Sequence, residues 1–87
     1  MGKKAKKVGR ITHFFDRIQV AVVEVTAGKL KTGDLIKISN KSGEEFVEQT
    51  VGSMQVDHKP VEVAKKGDEV GMKMDGMVKE GWEVSLM

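Results

Sequence analysis

The sequence predicts an all-β fold, a small β-barrel of six to seven strands, and three observations carry that prediction. Ten glycines and one proline punctuate short segments rich in Val, Ile, Thr and Met, which is how strands separated by turns read in a chain. Between those breakers no stretch sustains an apolar stripe of helical period for ten residues. One pattern then occurs three times: KTGDLIKI at 31–38, KKGDEVGM at 65–72 and KEGWEVSLM at 79–87. Each copy runs Lys, any residue, Gly, one variable position and a short apolar-rich stretch.

Strands are expected at about 7–14, 18–25, 35–39, 45–51, 54–58, 69–75 and 82–86. FFDRI (14–18) makes a tight connection between the first two, with Asp16 and Arg17 at its tip. RIQVAVVEV (17–25) is apolar on both faces, Ile18, Val20 and Val22 on one and Ala21, Val23 and Val25 on the other. Such a strand belongs at the centre of a closed or doubly covered sheet. NKSGEE (40–45) supplies the Asn, Ser and Gly of a hairpin turn. EVGMKM (69–74) alternates, placing Val70, Met72 and Met74 inward and Gly71 and Lys73 outward. With no helix to cover sheet edges, closure into a barrel is favoured over an open sheet.

The repeated unit fits that architecture. Glycine tolerates positive φ without steric cost and tightens the turn that enters a strand. Asp34 and Asp68 can accept a hydrogen bond from a backbone N–H two residues on, fixing that turn. Repetition at Gly33, Gly67 and Gly81 predicts three equivalent corners. At the third corner the aspartate is replaced by Trp82, the chain's one tryptophan, whose ring is expected to cover a barrel end.

Composition narrows the function classes. Eighty-seven residues make one domain, 39% hydrophobic and 32% charged. No apolar run approaches the ~20 residues that span a bilayer, and the basic start MGKKAKKVGR leads into no hydrophobic segment. Lys6 stands where a myristoylation signal needs Ser or Thr. Without cysteine there is no disulfide framework, thiolate zinc site or cysteine nucleophile. A cytoplasmic protein is expected. The net charge of +2 conceals an asymmetry: residues 1–10 carry five positive charges and no negative one, while the remainder is mildly acidic. The expected organisation is a flexible basic arm at 1–6 and one barrel at 7–87.

VGSMQVDHKPVEVAKKGDEVG (51–71) resembles the second domain of translational GTPases such as elongation factor Tu. The resemblance rests on Val51, Ser53, Met54, Ala64, Gly67, Asp68, Val70 and Gly71. VVEVTAGKLKTGDLIKI (22–38) is similar to an earlier signature of the same domain, and Gly81 and Val84 fall at its closing segment. The chain also resembles the small translation elongation factor-like proteins. Through Phe46, Gln49, Val51 and Met54 it resembles the C-terminal barrel of U32-class collagenase-type peptidases. The resemblance implies a closed Greek-key barrel of the translation-protein type. It brings no nucleotide hydrolysis, since the chain has no P-loop. A glutamate that contacts the end of aminoacyl-tRNA in elongation factor Tu corresponds to Gln55 here.

Catalytic and metal chemistry find little support in the sequence. His13 and His58 lack ligand spacing with Asp16 or Asp57, and no serine lies in a Gly-x-Ser-x-Gly elbow. No cofactor and no enzymatic activity are expected. The first functional expectation is a binding module for RNA or a ribonucleoprotein such as tRNA or the ribosome. Its candidate residues are Lys3, Lys4, Lys6 and Lys7 of the arm, Arg10, His13, Phe14 and Arg17 around the HFF cluster, and Gln55 with His58. Cations would hold phosphates, and one of Phe14 and Phe15 would stack on a base. Adjacent strand residues point opposite ways, so at most one of the two rings faces out while the other is buried. The alternative expectation is an accessory barrel that docks onto a larger enzyme such as a peptidase.

Overall fold

The computed structural model describes residues 6–57 and 59–87. The candidate residues Lys3, Lys4 and His58, and residues 1–5 of the expected arm, lie outside the described residues. All regular elements among the described residues are strands: β1 (Lys6–Phe15), β2 (Val20–Val25), β3 (Lys29–Lys31), β4 (Leu35–Ser39), β5 (Phe46–Thr50), β6 (Met54–Val56), β7 (Lys59–Val61), β8 (Val63–Lys65), β9 (Glu69–Lys73) and β10 (Glu83–Leu86). Seven of the ten match the expected strands. The other three, β3, β7 and β8, are three residues each, too short for a period of two to be read. Every ladder is antiparallel, in the order β5-β4-β10-β1-β2-β9-β6-β7, with β3 and β8 forming a separate ribbon. The last strand, β10, enters between β1 and β4 and joins the two halves of the sheet.

The three repeated turns occupy equivalent positions. Gly33, Gly67 and Gly81 have φ of 93°, 95° and 90°, the left-handed value that the third residue of a type II turn requires. Each turn is closed by a backbone bond from its fourth residue to its first: Asp34 to Lys31 at 3.1 Å, Asp68 to Lys65 at 2.9 Å and Trp82 to Lys79 at 3.2 Å. Each then clamps one buried residue of another segment from both sides. The Gly33 N–H donates to Val51 O and the Val51 N–H to Asp34 O, both at 2.8 Å. Gly67 and Asp68 do the same to Val25, and Gly81 and Trp82 to Ile11. Buried residues flank the turns in register: Leu30, Ala64 and Val78 before, Ile36, Val70 and Val84 after. The aspartates act differently from the sequence expectation. Their Oδ2 atoms accept from the N–H three residues back, of Lys31 at 2.9 Å and Lys65 at 3.0 Å, not two residues on.

The ladders do not by themselves show the closure expected from the sequence. No backbone ladder joins β5 to β7 among the described residues. The gap beside β5 is spanned by Gln49, the one buried polar side chain there, 6% exposed. Its Nε2 donates to Lys73 O at 2.9 Å and its Oε1 accepts from the Asp75 N–H at 2.8 Å, tying β5 to the exit of β9. Both ends of a buried amide are thus satisfied, which avoids the ~1–3 kcal/mol cost of an orphaned polar group.

The inner face holds Val8, Ile11, Ala21, Val23, Val25, Ile36, Ile38, Met54, Val70, Met72 and Val84. The two-sided burial expected of 17–25 is not observed. β2 begins only at Val20, after a turn in which Ile18 is 60% exposed, and its outer residues Val20 and Val22 are half-buried under no second layer. The outer face of β2 is an open apolar surface.

Candidate interaction face

β1 decides which side chains reach that surface. Its register with β2 slips between Ile11 and His13, a bulge at Thr12. One extra residue flips the facing of everything beyond it. Ile11 therefore points in, His13 and Phe15 point out, and the Phe14 ring packs against the core. Of the two rings, Phe14 is half-buried and Phe15, 46% exposed, is the outward one. The His13 ring lies 4.9 Å from that of Phe15.

A groove of about 390 Å³ crosses the outer face of β1, β2, β9 and β6. Val20, Val22 and Gly71 form its floor, Gly71 lying opposite Val22 on one side and Gln55 on the other. Phe15 and Ile18 form one wall. The other is made by Gln55, Asp57 and Glu69. Of the residues weighed for binding in the sequence, Gln55 and Phe15 line this groove, and Arg17 lies in the turn beside Phe15 and Ile18. Ile18, Val20, Val22 and Gly71 are not among those candidates because an apolar strand face reads as core. The glycine in the middle of β9 was the available signal.

The basic candidates on β1 do not form a continuous cationic stripe. Lys7 Nζ lies 3.2 Å from Glu83, Arg10 Nη2 3.0 Å from Glu24, and His13 Nδ1 3.4 Å from Glu80. Each of these side chains thus has a carboxylate from a neighbouring segment against it. Lys6 is exposed and paired in the ladder with Leu86. The remaining lysines are dispersed. Lys29 and Lys65 face each other on the β3–β8 ribbon, Lys37 sits 4.5 Å above the Phe46 ring, and Lys41 lies in the turn at 40–45. Among the described residues no group of three or more His, Asp or Glu side chains could hold a metal ion.

The antiparallel ladders, the three glycine corners and the apolar outer groove define a small β domain of barrel architecture. The family comparison agrees: the model of elongation factor Tu domain 2 matches residues 18–80, and the chain belongs to that family. An uncharacterized protease of Methanocaldococcus jannaschii is 43% identical over 81 residues, which is 93% of this chain. The chain spans 19% of that protein's length. Two crystal structures of the C-terminal domain of a Geobacillus thermoleovorans protein assigned to the U32 peptidases superpose with a TM-score of 0.83 at 12% identity. They cover 92% and 100% of this chain, which in turn covers 98% and 99% of theirs. At that identity the likeness is one of fold.

Proposed function

We propose that this chain is a non-enzymatic accessory barrel that docks onto a larger chain of the peptidase type. The observation that carries the reading is the open apolar groove on the outer face of β1, β2, β9 and β6, beside a strand whose Lys7, Arg10 and His13 each lie against a carboxylate. An exposed apolar patch rimmed by polar groups is the mark of a protein interaction site. The relatives support the same reading, because the matched segment is a minor part of a much longer protease. In this reading the domain acts as a closed Greek-key barrel, its seam held by the Gln49 amide.

RNA or a ribonucleoprotein is the competing occupant, and the two separate cleanly by experiment. The full chain is used to capture partners from an extract of its own cells, with and without ribonuclease, across a range of salt. The docking reading expects one larger protein, recovered in near-equal amount after nuclease and at 200 mM salt. Binding through six to ten phosphates would instead lose about 10³–10⁵ in affinity between 50 and 200 mM salt. Recovery that disappears with ribonuclease overturns the docking reading.

A further inference from the structure

Gly71 is a glycine that the fold does not require. The corner glycines need positive φ, and Gly9 has no room, since a Cβ there would lie 2.5 Å from the backbone oxygen of Glu24. Gly71 has an ordinary extended backbone, and a Cβ on it would meet Val20 Cγ1 at 3.6 Å, an ordinary contact. Glycine inside a strand costs about 0.5–1 kcal/mol relative to alanine; it is used at bulges, at tight bends or where another group approaches closely, and the β2–β9 register runs through Gly71 without a bulge. That approach is to the middle of the groove floor, where Gly71 lies between Val22 and Gln55.

Two further observations concern the same place. Among the described residues only Gln19 and Asp57 are non-glycine residues with left-handed backbone, at φ of 53° and 52°. Gln19 separates Ile18 of the groove wall from Val20 of its floor, and Asp57 belongs to the opposite wall. Backbone held in that region tends to gather at ligand clamps. The charged residues lining the groove are Asp57 and Glu69, both carboxylates, and among the described residues neither takes part in an ion pair.

Building on the docking reading, we propose that the groove is a slot for one aliphatic side chain of the partner chain, carried between basic residues. The aliphatic group lies over Gly71 against Val20, Val22, Phe15 and Ile18. A lysine or arginine beside it reaches Asp57 and Glu69. An apolar anchor in a pocket with charge pairs at its rim is how small interfaces concentrate their binding energy.

The test is an NMR titration of the full chain with the peptide acetyl-Ala-Lys-Leu-Arg-Ala-amide. Saturable shifts are expected at the amides of Val20, Val22, Gln55 and Gly71. Replacing the peptide's leucine by alanine, or both its basic residues by glutamate, weakens binding about tenfold each. Gly71→Val fills the slot at a strand position where valine is favoured, and it weakens binding by a similar factor while the amides of Val25 and Val84 stay in place. The pair Asp57→Asn with Glu69→Gln removes the preference for the basic peptide over the acidic one. No saturable shift at low-millimolar peptide overturns the inference, as does equal binding of the acidic peptide. A mixed-sequence RNA oligonucleotide that shifts the same four amides more strongly also overturns it. A Gly71→Val chain that captures the larger protein in undiminished yield removes the slot but leaves docking intact. Failure of the wild-type chain to capture any protein strikes the docking reading itself.

Discussion

The two corners closed by aspartate and the one closed by tryptophan share a backbone and differ in what steadies it. All three place glycine at φ near 90° and clamp a buried residue between two backbone hydrogen bonds. At Lys31–Asp34 and Lys65–Asp68 the carboxylate also reaches back to the first N–H of the turn. At Lys79–Trp82 that side-chain bond is absent, and the indole packs partly buried against the core. The turn geometry is therefore set by glycine and the strand clamp, while the fourth residue offers a choice between local polar closure and added apolar burial. The choice follows position: the third corner leads into β10, the strand that joins both halves of the sheet.

The largest effect should come from removing the buried side chain of a clamped residue. Ile11 is fully buried, and its N–H and carbonyl are both held by the tryptophan corner. Ile11→Ala is expected to cost about 2–5 kcal/mol in denaturant unfolding. Hydrogen exchange tells whether the corners are independent. Loss of protection at Gly81 alone means that each clamp opens by itself. Equal loss at Gly33 and Gly67 means that the three corners open as one unit.

A smaller effect is expected from exchanging the two solutions. Trp82→Ala removes a half-buried ring, and with full burial worth about 3–5 kcal/mol, a loss near 2 kcal/mol is expected. Trp82→Asp loses the same packing but can form the carboxylate bond of the other corners, worth roughly 0.5–1.5 kcal/mol. The aspartate variant should therefore unfold later than the alanine variant and earlier than the natural chain. An aspartate variant as stable as the natural protein would mean that the ring contributes no more to the fold than the carboxylate bond that replaces it.

The corners were legible in the sequence because a tight turn is local chemistry: Gly33, Gly67 and Gly81 announce positive φ by themselves. The direction of the Asp34 and Asp68 bonds was not, since it depends on the turn type that glycine and its fourth residue adopt together. The parity of Phe14 and Phe15 was hidden for a less local reason. It turns on the bulge at Thr12, which exists only in the pairing of β1 with β2. The groove was hardest to see. Val20 and Val22 carry the same apolar signal whether a second layer covers them or not, and only the assembled sheet shows that none does. Gly71 was visible as a strand glycine, yet its meaning depends on the room measured around its absent Cβ.

The smallest effect, and the most direct test of equivalence, lies in the aspartates. Asp34→Ala and Asp68→Ala each remove one bond from a carboxylate to a backbone N–H, of 2.9 Å and 3.0 Å, in turns otherwise unchanged. Each should cost about 0.5–1.5 kcal/mol, and in a domain of this size the melting temperature falls by about 4–8 °C for every kcal/mol. Asparagine keeps the acceptor oxygen and should recover most of the loss. The two corners clamp different residues, Val51 and Val25, so the double substitution should equal the sum of the singles within about 0.5 kcal/mol. A double variant well below that sum would show that the corners communicate through the β3–β8 ribbon, whose strands run directly into the two turns. In that case the aspartate pair steadies one shared element, and the tryptophan corner, with no strand before it, stands apart by topology as well as by chemistry.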